Sequence, residues 1–240
     1  MTALAWASLA RLGGPMSAAM EYDAAMAAMG MDMRGPWGWA DAGLTFLMWV
    51  VMMIGMMTPS AAPMLLLFSG TVAARQERGV PVSVLAFASG YLAVWTGFSV
   101  VATLAQWALH ETAMLSAAMR TSNALVGGSI LIAAGLYQLT PLKTACLTHC
   151  RSPLGFLMTG WRAGRLGALR MGAHHGVYCL GCCWALMAVL FVVGVMSLLW
   201  VAILAAVVLL EKAGPRGLIV ARAGGAVMVI AGMTLAVVGA

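Results

Sequence analysis

The stretch Leu44–Phe68, LTFLMWVVMMIGMMTPSAAPMLLLF, decides the fold. It carries no charged residue, and as a helix it is long enough to cross the roughly 30 Å hydrocarbon core of a bilayer. Similar stretches follow, and of the 240 residues 63% are hydrophobic and 8% charged. A soluble domain carries roughly 25% charged residues and cannot hide so much apolar surface. The chain is therefore predicted to be all-α and to span a membrane several times.

The apolar stretches predict a polytopic transmembrane bundle of about six helices. The run 176–210 is too long for one crossing, and basic residues flank it on both sides, so we expect two crossings with a turn near 195–197. The bundle occupies 42–240, and the Met-rich segment 1–41 before it is expected to lie largely outside the cytoplasm, with a seventh, N-terminal helix left open. The predicted helices are 44–68, 82–109, 123–140, 176–194, 198–210 and 217–238.

Arginine and lysine lie mainly between the apolar stretches, where they orient the chain with these loops in the cytoplasm. The formal charge of +6 therefore indicates a lipid bilayer as partner rather than a nucleic acid. The stretch 154–171 mixes aromatic and aliphatic residues with arginines, which predicts an amphipathic helix on the cytoplasmic surface. Glu211 and Lys212 are interpreted as an interfacial pair. Tyr137 and Gln138, near the end of a membrane helix, are either bundle contacts or functional groups.

All five cysteines fall in two short groups. Cys146 and Cys150 follow the third predicted helix, and Cys179, Cys182 and Cys183 lie in the fourth, each group at spacings that share one helix face. Thiolates bind Cu(I), Zn(II) and iron–sulfur clusters, and the reducing cytosol favours metal binding over disulfides. With a nitrogen from His149, the two groups predict a metal site at the cytoplasmic membrane edge. Cu(I) is the preferred ion and zinc the alternative; simple packing of small side chains is the competing interpretation.

Methionine is the second source of soft ligands, with 21 in the chain. Met48, Met52 and Met56 repeat every four residues along the first helix, so they form a ladder on one face. Thioether sulfur suits Cu(I), and a series of weak sites is what a conduction path requires. A further methionine run, 16–33, is expected outside the cytoplasm. Methionine also fills irregular cores, so packing alone is the competing interpretation.

Three motifs carry a resemblance to a known family. The segments Met52–Ser60 (MMIGMMTPS), Gly135–Pro153 (GLYQLTPLKTACLTHCRSP) and Gly176–Met187 (GVYCLGCCWALM) resemble the bacterial proteins described as predicted metal-binding integral membrane proteins, a domain of unknown function. The resemblance extends from about Gly38 to the end of the chain. It implies a multi-pass protein of the bacterial cytoplasmic (inner) membrane that binds metal, and the five cysteines fall within its motifs.

These patterns favour a copper-handling membrane protein that takes up Cu(I), transfers it or delivers it to a partner. The partner is a metallochaperone or a larger membrane protein complex. No catalytic residue is assigned, and transport is favoured over enzyme catalysis. Two alternatives stay open, namely a membrane thiol–disulfide oxidoreductase that uses Cys179 and Cys182, and an accessory subunit of a membrane metalloenzyme.

Overall fold

A computed structural model describes residues 4–7, 9, 11, 37–76, 79–112 and 123–238. The predicted methionine run 16–33 lies outside the described residues. Within them the regular structure is entirely helical, which confirms the all-α prediction. The helices are α1 (Trp39–Ala74), α2 (Val80–Glu111), α3 (Ala124–Leu139), α4 (Pro141–Arg151), α5 (Pro153–Gly160), α6 (Gly164–Ala188), α7 (Leu190–Val193), α8 (Leu198–Ala213) and α9 (Gly217–Val238).

Four helical segments are long and apolar enough to cross a membrane, namely α1, α2, α6 with α7, and α9. A fifth results if α3 and α4, which meet at a bend of 63°, count as one span. The predicted crossing 198–210 is found as α8, whose 16 residues fall short of the roughly 20 that an ordinary crossing needs.

The predicted amphipathic helix 154–171 is wrong as a single surface helix. The chain instead forms α5, breaks at 161–163 and starts α6 at Gly164, whose φ of +78° lies in the left-handed region that glycine adopts readily. Leu157 and Met171 are buried against Phe68, so one face of this segment packs into the core, whereas Leu154, Met158 and Leu166 are exposed. The fourth predicted helix accordingly begins well before residue 176.

The bend between α3 and α4 follows from the sequence Thr140-Pro141. Proline has no N–H to continue α3, and the residue before it is held in an extended conformation, with ψ of 153° at Thr140. The Thr140 hydroxyl then accepts a hydrogen bond from the backbone N–H of Lys143 and caps α4. This bend turns α4, which carries two of the cysteines, across the end of the bundle.

Interior prolines of α1 leave a carbonyl without its helical partner. Pro59 cannot donate to Gly55, and the Gly55 carbonyl instead accepts a hydrogen bond from the Trp6 indole at 3.2 Å. Thr58 and Ser60, the residues expected to compensate, donate to the carbonyls of Ile54 and Met57. The N-terminal residues 4–7 are thereby held against the middle of α1.

Close backbone crossings at glycines hold the bundle together. Gly90 of α2 lies directly against the Leu169 carbonyl of α6, and Gly172 of α6 lies against the Phe87 carbonyl of α2. The α3–α9 crossing uses the same device, with Gly128 facing Gly232 and Gly135 facing Gly225. Small residues at such crossings let helix backbones approach closely, as is common in membrane bundles.

The two ends of the bundle differ in chemistry. The aromatic end, defined by Trp37, Trp39, Trp107 and His110, contains stacked and edge-to-face ring pairs. At the opposite end, which we call the basic end, Arg75 lies 4.4 Å over the Trp161 ring, and Arg162, Arg165 and Arg170 follow. Helix α1 runs from the aromatic end, at Trp39, to the basic end, at Ala74.

We expect Gly90→Ala to lower the stability of the protein by about 1–3 kcal/mol, because the added methyl group overlaps the α6 backbone. Gly97→Ala is the matched control on the same helix, since its methyl group would meet nothing within 4 Å. It should leave stability unchanged or raise it slightly. Thermal unfolding in detergent, followed by circular dichroism, compares the two. Equal melting temperatures would show that the α2–α6 crossing is not tightly packed.

Candidate metal centre

Helices α4 and α6 bring the two cysteine groups into contact. The Cys150 sulfur lies 3.9 Å from the Cys182 sulfur, which lies 3.3 Å from that of Cys183. Cys183 follows Cys179 by four residues, so the two side chains lie one turn apart on the same face of α6. All of these cysteines are free thiols. The result is a thiol chain, defined as Cys150, Cys182, Cys183 and Cys179 in that spatial order.

The thiol chain runs from the edge of the bundle into its interior. Cys150 is half-buried, whereas Cys179, Cys182 and Cys183 are at most 1% exposed. Half-buried Cys146 lies beside the chain, and its sulfur packs so closely on Gly181 that a Cβ there would come within 2.9 Å. The fifth cysteine thus borders the same region without joining the line of sulfur contacts.

The inner end of the thiol chain is surrounded by polar groups from three other helices. The Lys212 ammonium of α8 donates to the Cys179 sulfur at 2.7 Å and to the Ser60 hydroxyl of α1 at 3.2 Å. The Tyr91 hydroxyl of α2 lies 3.0 Å from the same sulfur and also donates to the Met57 carbonyl. Cys179 is therefore the meeting point of α1, α2, α6 and α8.

A buried ion pair lies behind the thiols. Lys143 of α4 and Glu211 of α8 are each 1% exposed, and their charged groups are 2.6 Å apart. Lys143 also donates to the Cys182 carbonyl at 2.5 Å, and Gln138 donates to the Glu211 carboxylate at 2.9 Å. The Tyr137 hydroxyl donates to the Gly181 carbonyl. This network joins α3, α4 and α8 to the cysteine-bearing turns of α6.

The interpretation of Glu211 and Lys212 as an interfacial pair is wrong. Adjacent residues on a helix point in different directions, so Glu211 turns inward to Lys143 while Lys212 reaches Cys179. Lys143, assigned from the sequence to a basic loop, is buried in the core. Ionisable residues within apolar helices are the signal that could have identified this network.

The histidines lie outside the line of thiols. His149 is exposed, its ring stacks on Tyr178 with centroids 4.4 Å apart, and its Nδ1 is 3.2 Å from the Ala145 carbonyl. His174 also packs against Tyr178, and buried His175 stacks on Tyr91. The predicted nitrogen ligand His149 therefore faces an aromatic ring on the surface of the protein.

The methionine ladder packs into the same core as the thiols. Met52 and Met56 are buried, Met48 is partly buried, and all three belong to or pack against the cluster that contains Cys179, Cys182 and Cys183. The parallel pair Met53 and Met57 is buried as well. Met64 lies further along α1 in a separate cluster with Phe68 and Phe87.

The thiols meet in pairs rather than in a closed cage. Within the described parts of the chain, no three side chains among the His, Cys, Asp and Glu residues are grouped as ligands around one ion. A structural zinc site requires four such ligands in a tetrahedron. The described thiols therefore do not form such a four-ligand site.

The described residues thus form an all-helical bundle that gathers soft sulfur atoms, a buried ion pair and a further ammonium group at one place. Residues 46–235 match a family model described as PpoB2, copper chaperone, and the chain belongs to that family. No curated protein and no solved structure matches it. The association with copper, expected from the soft ligands, is thus confirmed at the level of the family.

We expect Lys143→Met to destabilise the protein by about 3–5 kcal/mol, because it leaves the Glu211 carboxylate buried without its counter-charge. Adding Glu211→Gln removes that charge and keeps an acceptor for Gln138, so the double variant should recover most of the loss. Thr148→Ala, on the exposed face of α4, is the control and should change stability little. Thermal unfolding measures all three. A double variant no more stable than Lys143→Met would contradict the pairing.

Proposed function

We propose that this protein is a membrane-embedded copper chaperone that passes Cu(I) along its thiol chain to a partner. The observation that carries the proposal is the line of sulfur contacts from half-buried Cys150 through Cys182 to Cys183, with buried Cys179 one turn away on the same face of α6. Soft thiolates bind Cu(I) strongly, and neighbouring sulfurs allow the ion to gain a new ligand before it leaves the old one. Such stepwise exchange needs no change in the oxidation state of the ion.

The shape and surface of the bundle support a membrane location. From Trp39 at the aromatic end to Phe68 near the basic end, α1 rises about 44 Å at 1.5 Å per residue. This matches the roughly 40–45 Å thickness of a bilayer with its headgroup regions. Large aliphatic side chains such as Leu66, Val101 and Ile230 are exposed on the outer faces of the helices, where lipid would cover them. A bacterial cytoplasmic membrane is the location that we propose.

The depth of the thiols suits exchange at the cytoplasmic edge. On one side of the bundle α3 ends at Leu139 and α8 ends at Ala213, and both ends lie close to the level of the thiols. The helices α1, α2 and α6 extend further, as far as the basic end. Cys150 is therefore the member of the thiol chain nearest to the surface. We propose that a metallochaperone or a larger membrane complex docks here and exchanges Cu(I) with Cys150.

The pairing of thiols favours Cu(I) over zinc. Each contact in the thiol chain offers two sulfurs, whereas zinc seeks four ligands, and His149 lies on the surface against Tyr178. Met52 and Met56 add thioethers in the adjoining core, which suit the same soft ion. We therefore propose Cu(I) as the cargo and place His149 outside the binding set.

The redox alternative requires Cys179 and Cys182 to act as a pair. In the structure the Cys182 thiol donates to the Cys179 carbonyl at 3.1 Å and contacts Cys150 and Cys183. The Cys179 sulfur instead faces Tyr91 and Lys212. This geometry supports exchange of a metal along several thiols more than a dedicated disulfide between these two.

Removal of the central thiol should break the path. We expect Cys182→Ser to weaken Cu(I) binding at least about tenfold, because Cys182 is the member that joins Cys150 to Cys183. The measurement is competition with a colorimetric Cu(I) chelator on the purified full chain in detergent under reducing conditions. His149→Ala, three residues along α4 from Cys146, is the matched control and should bind like the wild type. Equal affinities of all three proteins would remove the thiol chain as the copper site.

The methionines of α1 should affect the rate of transfer more than the final affinity. We expect Met52→Leu with Met56→Leu to slow loading of the thiols with Cu(I), because the volume is conserved while two weak ligands are lost. Met64→Leu, in the separate cluster with Phe68, is the control and should load normally. Stopped-flow mixing with a Cu(I)–chelator complex follows the loading. Unchanged kinetics in the double variant would show that these methionines only fill the core.

A further inference from the structure

Lys212 is a positive charge at the thiols that no carboxylate neutralises. Its sequence neighbour Glu211 is already paired with Lys143 and bonded by Gln138. Among the described residues, the Lys143–Glu211 pair is the salt bridge that the structure contains. The contacts of the Lys212 ammonium are the Cys179 sulfur at 2.7 Å and the Ser60 hydroxyl at 3.2 Å. Its charge is thus available to whatever occupies the adjacent thiols.

Charge balance in the interior then depends on the ion. When a metal binds, its two thiol ligands lose their protons and bring two negative charges. The Lys212 ammonium, two thiolates and a monovalent ion together have a net charge of zero. With a divalent ion in place of the monovalent one, the net charge is +1. Burying a net charge is costly, so the neutral combination is favoured.

The other charged groups nearby leave this balance unchanged. Lys143 and Glu211 cancel each other. Arg151 lies at the edge, where it donates to the Glu211 and Lys212 carbonyls at the end of α8, a position at which helix carbonyls favour a positive charge. Tyr91 contributes a neutral hydroxyl.

We propose that Lys212 makes the Cys179–Cys183 end of the thiol chain selective for a monovalent soft cation over a divalent one. The inference rests on the proposed function, since it assumes that these thiols bind the metal. It adds the residue that determines which metal ion is preferred. Binding at this pair moves no electrons. Two sulfur–metal bonds form, and any thiol proton that is displaced passes to solvent.

Replacement of Lys212 tests the inference through a ratio of affinities. The full chain in detergent is titrated with Ag(I), an air-stable monovalent probe, and with Cd(II), a thiophilic divalent probe, in wild type and in Lys212→Leu. A unit charge about 5 Å from the ion changes the relative affinity for mono- and divalent ions on the order of 100-fold at an effective dielectric constant of about 20. We expect the ratio of Ag(I) to Cd(II) affinity to fall by that factor in Lys212→Leu and to persist in Lys212→Arg.

Two further variants make the test specific. Arg216→Leu removes an exposed positive charge just beyond α8 and should leave the ratio at the wild-type value. Lys212→Gln keeps a donor for Ser60 while it removes the charge, and it replaces Lys212→Leu if that variant does not fold.

The outcomes separate the two proposals. If Lys212→Leu weakens the binding of both ions equally, Lys212 has a structural role and the selectivity proposal is wrong, while the proposed function stands. If the wild type binds neither ion, the proposed function itself fails. A lower ratio in Lys212→Leu and in Lys212→Gln, but not in Arg216→Leu, supports selection by charge.

Discussion

The buried ion pair between Lys143 and Glu211 is the interaction on which the candidate metal centre depends. It joins α4 to α8, and the same ammonium group holds the Cys182 carbonyl of α6. Together with the contacts that Cys146 and His149 make with α6, this link fixes how α4 lies across α6. The contact between Cys150 and Cys182, which connects the two cysteine groups, therefore relies in part on a pair of charges placed deep in an apolar bundle.

Glu211 and Lys212 are adjacent in α8, but their charged groups face different neighbours. Glu211 pairs with Lys143 inside the bundle, and Lys212 contacts the Cys179 thiol. The Glu211 carboxylate accepts hydrogen bonds from Lys143 and Gln138. The Lys212 ammonium therefore reaches the thiols without a partner of opposite charge. Had the two residues paired with each other, the thiols would face a neutral surface. The sequence places them side by side, but the geometry of α8 assigns them to different neighbours.

Composition and periodicity are enough to predict much of this fold. The stretch Leu44–Phe68, the turn near 195–197 and the helix 217–238 recur in the structure because apolar length and glycine or proline breaks are local signals. The segment 154–171 does not follow local signals, since its Leu157 and Met171 are buried by contacts with α1 that no local pattern encodes. The close crossings at glycines also depend on tertiary contacts. The sequence shows that small residues are present but not which helices meet at them.

The candidate site likewise has features that the sequence predicts and features that depend on tertiary contacts. Helical spacing places each cysteine group on one face, but the order of sulfur contacts depends on how α4 crosses α6, and so does the turn of His149 towards Tyr178. A cage of thiols around one ion would hold it firmly, whereas a line of pairwise contacts offers a sequence of similar sites. In the proposed function copper is released to a partner, and such release needs the second arrangement, because an ion bound by every thiol at once has no low-barrier way out.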